Sequence, residues 1–181
     1  MLSRDYNTQS ESLTEVPMVI VLIGPMGSGK TTIGKLLAET NGYHFADGDD
    51  YHPKENVDKM AAGIALSDED RQPWLARLAD LIDEFSSAPQ TLVLACSALK
   101  EQYRRTLGID QQGVISVYLK GSLELLTQRI TEREHQYMDK SLLESQLSTM
   151  EDPAGGLVVE ISSNPLQIVA EITTRISNRH N

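Results

Sequence analysis

Gly24-Pro-Met-Gly-Ser-Gly-Lys-Thr31 carries the most specific chemistry in the sequence. It fits the pattern G-x-x-x-x-G-K-[ST], a loop suited to nucleotide phosphates. Glycines let successive backbone N–H groups converge on phosphate oxygens, so Gly24, Gly27, Ser28 and Gly29 are expected to cradle them. Lys30 would reach the β- and γ-phosphates, and the Thr31 hydroxyl would ligate Mg²⁺. A helix beginning near Thr32 would turn its N-terminus, Thr32 included, toward the same oxygens. The context is right for such a loop. An apolar run, Met18 to Ile23, precedes it as a strand, and Ile33, Leu36 and Leu37 follow at helical spacing.

Acids cluster after a second, shorter strand, Tyr43 to Ala46, as Asp47, Asp49 and Asp50. The later strands end without one, in Leu94-Ala-Cys-Ser97 and Leu119-Lys-Gly121. Strand two is expected beside strand one, which brings these carboxylates near Thr31. If the extended geometry persists, Asp47 and Asp49 point the same way. Asp47, nearer the sheet, would then serve Mg²⁺ or its waters. Asp49 would orient an accepting hydroxyl and take its proton late. An ordinary turn is the plainer alternative for Asp-Gly-Asp. Arg129 and Arg133, four apart, share a helix face ahead of the loop 134–138. There they could clamp ATP and stabilise charge on a moving phosphoryl group, although a solvated face is the simpler reading. Lys30, Asp49 and Arg133 are thus the candidate catalytic residues. The four histidines have no metal-ligand spacing, so zinc is not expected.

These residues need a frame. Further strands are expected at Thr91–Cys96, Val114–Leu119 and Leu157–Ile161, each alternating with helices. That pattern predicts an α/β protein with a mainly parallel sheet and ligands beyond its carboxyl ends. Ser67 to Asp70 resembles a capping box ahead of a helix with Trp74, Leu75, Leu78, Leu81, Ile82 and Phe85 on one face. Asn164-Pro165 caps the last helix. Cys96, at a strand end, reads as a buried thiol. Two excursions, about 50–89 and about 134–152, are too long for simple crossovers and read as a substrate flap and a lid.

At 181 residues and 40% hydrophobic, the chain fits one domain over 18–181 with a sizeable core. Sixteen basic against twenty-six acidic residues leave a net charge of −10, which argues against nucleic acid and anionic membrane as partners. One cysteine excludes an internal disulfide. Residues 1–17 are polar and carry acids, so they read as a flexible tail rather than a secretory or transit signal. A cytoplasmic location is expected.

Several longer strings resemble the gluconokinase family, small P-loop kinases of the shikimate-kinase and nucleoside-monophosphate-kinase group. They are Asp47-Gly-Asp-Asp-Tyr-His-Pro53 with Asn56, Lys59, Met60 and Gly63, and Leu66-Ser-Asp-Glu-Asp-Arg-Gln-Pro-Trp-Leu75. Cys96-Ser-Ala-Leu-Lys100 with Tyr103-Arg104, and Leu142 to Gln146 with Glu151 and Pro153, complete the match. The resemblance runs from about Val19 to Ile176. It implies a three-layer α/β/α sandwich with a five-stranded parallel sheet. It implies phosphorylation of D-gluconate to 6-phospho-D-gluconate with ATP and Mg²⁺, in a homodimer. It places Asp49, Arg71, Lys100, Arg104 and Gln146 around the sugar acid, with Ser97 in the same set; His52 would either touch the substrate there or brace the Asp47–Asp50 turn. Arg129, Asn164 and Pro165 would lie by the adenine. The lid departs from the family pattern, reading Arg133-Glu-His-Gln-Tyr137 where Arg-x-Gly-His-Phe is usual.

Three other readings remain open. One is a kinase for shikimate or another sugar acid, although shikimate kinases carry Gly-Gly-Gly where Cys96-Ser-Ala98 stands. Another is a nucleoside-monophosphate kinase. The third is an ATP-sensing module without transfer, which would not need acids beside the P-loop.

Overall fold

The structure, a computed structural model, describes residues 18–109, 111–132 and 140–179. Five strands form one sheet: β1 (Val19–Ile23), β2 (His44–Asp47), β3 (Leu92–Ala95), β4 (Val114–Lys120) and β5 (Leu157–Glu160). All pairings are parallel, in the spatial order β2-β3-β1-β4-β5. Strand β2 therefore lies beside β3, not beside β1 as the sequence reading expected. Backbone of β3 runs between them, with Leu22 opposite Ala95 and Ala95 opposite Asp47.

Every residue of β1 is buried, because both sheet faces are covered. Ile20 and Leu22 point into one core with α1 (Lys30–Asn41), α5 (Leu123–Glu132), α6 (Lys140–Thr149) and α7 (Pro165–Ser177). Val19, Val21 and Ile23 point into the other, with α3 (Asp68–Ser86) and α4 (Glu101–Thr106). The two cores make a three-layer α/β/α sandwich. In α3 the apolar stripe buries Trp74, Leu75, Leu78 and Ile82. Most of the 50–89 excursion is thus a crossover helix packed on the sheet. The part standing off it holds α2 (Lys54–Ala61), where Val57 and Met60 are exposed.

Local signals set the ends of these helices. The α3 start has both halves of the capping box: Asp70 N–H donates to Ser67 Oγ and Ser67 N–H to Asp70 Oδ2. Asn164 Oδ1 accepts from Gln167 N–H at the α7 start. At the sheet's edge, Arg175 Nη1 donates to the Val158 carbonyl at 2.6 Å and Arg179 Nη2 to the Gly156 carbonyl at 2.8 Å.

Candidate active site

The carboxyl ends of β1, β2 and β3 open onto one cleft. β1 runs into the loop 24–29, whose Gly24, Gly27 and Gly29 have φ of 148°, 77° and 90°. Side chains rarely adopt such backbone, so the pattern's first and last glycines serve shape as much as proximity. Lys30 Nζ donates to the Gly24 and Pro25 carbonyls at 2.9 and 3.0 Å. Ser28 is fully buried, and its hydroxyl has no hydrogen-bond partner among the described residues.

Thr31 Oγ1 donates to Asp47 Oδ2 at 2.7 Å, as expected, although β2 is one strand further away than the sequence suggested. The other Asp47 oxygen accepts from Asp49 N–H at 3.1 Å. That bond starts a 3-10 turn, Gly48–Tyr51. The expected extended run from Asp47 to Asp49 is therefore replaced by a turn that Asp47 caps. Gly48 permits it by lying against β3: an added Cβ would stand 2.9 Å from the Ala95 carbonyl oxygen.

Asp49 sits exposed in the 3-10 turn after β2, where the surrounding protein still takes part of the water from its carboxyl. This desolvation raises its pKa above the ordinary aspartate value, and the Asp47 charge adds to the effect. Lys30 and His52 oppose it. Burial lowers the pKa of His52, against the pull of Asp49, so the imidazole is neutral near pH 7. His52 stacks on Trp74 with centroids 4.5 Å apart and rings 11° from parallel. Trp74 is held in turn by its Nε1–H bond to the Gly48 carbonyl at 2.7 Å. Stacked in this way, His52 and Trp74 form a wall behind the acidic turn. Buried Asn56 adds a bond to the Asp70 carbonyl at 2.8 Å and a contact to His52 Nδ1 at 3.3 Å.

Beyond His52 lie Arg71, Ser97 and Lys100. Arg71 Nη1 donates to the Leu66 carbonyl at 2.6 Å. Lys100 Nζ bonds both Asp68 oxygens, at 3.0 and 3.1 Å. The Ser97 carbonyl accepts from Gly24 N–H at 3.3 Å, which ties this loop to the phosphate loop. Next in the loop, Ala98 has φ 40°, a left-handed conformation costly for a residue with a Cβ. Cys96 is fully buried, its thiol pushed up to about 12 by burial.

Arg104 is not where the resemblance implies. It is 3% exposed, and each of its nitrogens donates within the chain. Nη1 bonds the Ala98 and Leu99 carbonyls, Nη2 bonds the Glu151 carbonyl and Glu101, and Nε bonds Glu101. It fastens the 97–100 loop to the segment after α6 and does not line the cleft. Gln146 Oε1 accepts from Met26 N–H at 2.7 Å, placing α6 against the phosphate loop. Leu143, in the same helix, is fully buried. Arg133 and residues 134–139 of the expected lid lie outside the described residues, as do residues 1–17.

On the other side of the phosphate loop is a groove of about 270 Å³ lined by Gly29, Thr32, Ile33, Arg129, Glu132, Pro165 and Ile168. Arg129 Nη2 donates to the Ile161 carbonyl at 2.6 Å, which fixes the guanidinium along the groove. Arg129 and Pro165, which the resemblance puts beside a base, line this groove; Thr32, expected at the phosphates, lines it too, and Asn164 is not among its lining residues. Glu132 was missed, although it follows Arg129 by three residues on the same helix. Asp68, the acceptor for Lys100, was also missed. Its signal was its position inside the string Leu66 to Leu75.

Residues 26–176 match a family model described as shikimate kinase. A protein described as probable gluconokinase from Xenopus tropicalis is 38% identical over 180 residues, covering 90% of this chain and 95% of that one. A gluconokinase from Arabidopsis thaliana is 37% identical, covering 90% of this chain and 94% of that one. The crystal structure of a gluconokinase from Sinorhizobium meliloti 1021 is 36% identical with a TM-score of 0.77, covering 92% and 99% of the two chains.

Proposed function

The chain belongs to the gluconokinases of the shikimate kinase family and is an ATP-dependent phosphotransferase acting on an alcohol; from that premise we propose how its residues carry the γ-phosphoryl group of ATP to D-gluconate, giving 6-phospho-D-gluconate. One observation carries the reading. Asp47 bonds Thr31 of the phosphate loop through one oxygen at 2.7 Å and the Asp49 N–H through the other at 3.1 Å. The 3-10 turn from Asp49 ends at His52, whose N–H meets the Asp49 carbonyl at 3.5 Å, and the Arg71 charge helps to lower the pKa of His52. Donor site, acceptor carboxylate and a cationic end for a sugar acid are therefore successive neighbours in one cleft.

The backbone N–H groups of 27–31 bind phosphate oxygens, and Lys30 exchanges its loop carbonyls for the β- and γ-phosphates. The groove beside Arg129 and Pro165 receives the adenine, with Asn164 at its edge. Asp49 accepts a hydrogen bond from the primary hydroxyl, orients it, and takes its proton as the new P–O bond forms. A weak base is enough, because phosphoryl transfer depends mainly on positioning and charge. Arg71 pairs with the sugar acid's carboxylate, with Lys100 and Ser97 beside it and His52 as a neutral wall. Arg133 closes over the transferring group from the lid, and Gln146 follows on the lid side. Arg104 acts on substrate only by holding the 97–100 loop.

Thr31 and Asp47 fit Mg²⁺, a hard cation that takes oxygen ligands and keeps several waters. Held by Thr31 and Asp47, Mg²⁺ would supply positive charge against that of the phosphates. No group of three or more His, Cys, Asp or Glu among the described residues could hold a metal alone, so phosphate and water would complete the shell. A homodimer and a cytoplasmic location belong to the same reading. No helix among the described residues is long and apolar enough to cross a membrane.

Coupled ADP release with a panel of gluconate, shikimate and nucleoside monophosphates tests the proposal. Turnover confined to gluconate supports it. Preferred turnover of shikimate or a nucleoside monophosphate refutes it.

A further inference from the structure

Asp68 has no part in the roles above, yet three side chains, Lys100, Gln102 and Tyr103, donate to it. Lys100 Nζ meets both its oxygens, Gln102 Nε2 donates at 3.0 Å and the Tyr103 hydroxyl donates to Oδ1. Arg71 Nη1 stands at 3.9 Å, the outer limit of an ion pair. Among the described residues no hydrogen-bond acceptor meets Arg71 Nε or Nη2, and the guanidinium lies over the Tyr103 ring, 5.7 Å from its centroid. The acceptor end thus holds two cations and one fixed anion, a net charge of +1 for the three residues.

We infer that Asp68 is a specificity-determining residue: it cancels the charge of Lys100, so the acceptor end fits one carboxylate and turns away a doubly charged group. The inference rests on the proposed placement of the sugar acid's carboxylate at Arg71. Discrimination of this kind comes from a repulsive element as much as from an attractive one. A monoanion completes an arrangement of two cations and two anions. A phosphate group of charge near −2 in the same place leaves an excess negative charge beside Asp68, and like charges held together cost binding.

Two features suit Asp68 to this role. It is the first residue of α3, directly after Ser67, whose capping box fixes the backbone there. It cannot easily swing aside for a larger anion. Its donors also hold its pKa down to about 2, so the negative charge persists at any working pH.

Three open-chain acceptors that share a primary hydroxyl test the inference. They are gluconate, neutral glucitol, and glucitol 6-phosphate, a dianion near pH 7.5. Each is measured as substrate, or as competitive inhibitor against gluconate, with wild type, Asp68→Asn and Asp68→Glu. Asp68→Ser is a second neutral variant, since serine also suits a helix start. Removing the charge should shift preference toward glucitol 6-phosphate over gluconate by at least about tenfold, a shift of about one decade in relative affinity. Asp68→Glu, which keeps the charge, should retain the wild-type preference. An unchanged ratio in both neutral variants overturns the inference. Equal shifts in Asp68→Glu and Asp68→Asn overturn it too, because shape and not charge would then decide. Arg71→Gln separates the two levels. If it leaves the KM for gluconate unchanged, the acceptor placement itself is wrong. If it raises that KM while the Asp68 ratio stays fixed, only the inference about Asp68 fails.

Discussion

Replacing Arg104 distinguishes a ligand from a brace. In Arg104→Met a buried guanidinium is lost, and the Ala98, Leu99 and Glu151 carbonyls lose donors at 2.9, 3.1 and 2.9 Å. Glu101 loses less, because its side chain is 42% exposed and water can replace the bond. Charge-assisted hydrogen bonds are worth about 1.5–3 kcal/mol each, but neighbouring losses do not add fully. A destabilisation of about 3–5 kcal/mol is therefore expected, the range for breaking a buried ionic group from its partners. For a domain of this size that lowers Tm by roughly 6–20 °C. Arg104→Lys should recover only part of it, since one ammonium cannot serve a fork of carbonyls on two segments. Urea unfolding measures the stability, and gluconate KM is read in parallel at a temperature where each variant is folded. An unchanged unfolding midpoint with a strongly raised KM would refute the argument and restore Arg104 to the substrate.

Four further outcomes follow from the site. Lys30→Met should keep the fold by circular dichroism and lose most turnover; near-normal activity with an unchanged KM for ATP would contradict the phosphate-loop assignment. Asp49→Asn should lower kcat by at least about 10²-fold while Mg·ATP still binds, whereas Asp47→Asn should raise the Mg²⁺ requirement; titrations of rate against Mg²⁺ show whether the two roles are exchanged. The charged form of Asp49 is the active one, so kcat/KM should fall as pH drops through its raised pKa, an acid limb at higher pH than an ordinary aspartate gives. The same limb should be missing from the residual activity of Asp49→Asn. Gly48→Ala places a methyl 2.9 Å from the Ala95 carbonyl, and overpacking of this kind costs about 1–3 kcal/mol by denaturant unfolding.

Local patterns carried most of the fold. The run Met18–Ile23, the helix caps at Ser67 and Asn164 and the stripe through Trp74 need only near neighbours to be read. The order of the strands depends on which crossover returns to which edge. Nothing within Tyr43–Ala46 records that β3 inserts between β2 and β1. The site shows the same division. Gly24 to Thr31 is legible because backbone geometry imposes residue types at fixed spacing. The Asp47 cap that turns the chain at Gly48 involves only neighbours, but it competes with strand geometry over the same residues. Arg104 was assigned by resemblance alone, and its actual partners, Ala98, Leu99 and Glu151, lie on separate segments whose meeting no spacing reveals. Asp68 looked like one acid among several in a first helical turn until Lys100, Gln102 and Tyr103 folded against it.

The bonds from Arg175 and Arg179 to β5 bear on how copies of this chain can assemble. An edge strand offers outward carbonyls and N–H groups to any other strand, a route to sheet extension and aggregation. Here the Val158 and Gly156 carbonyls, two residues apart on that outward row, are already held by guanidinium groups. Another strand could join only by displacing two charge-assisted bonds at once. Sheet continuation at the outer rim of β5 is thereby disfavoured, and any second copy would find its footing more readily on helix or loop surfaces, or at the β2 rim.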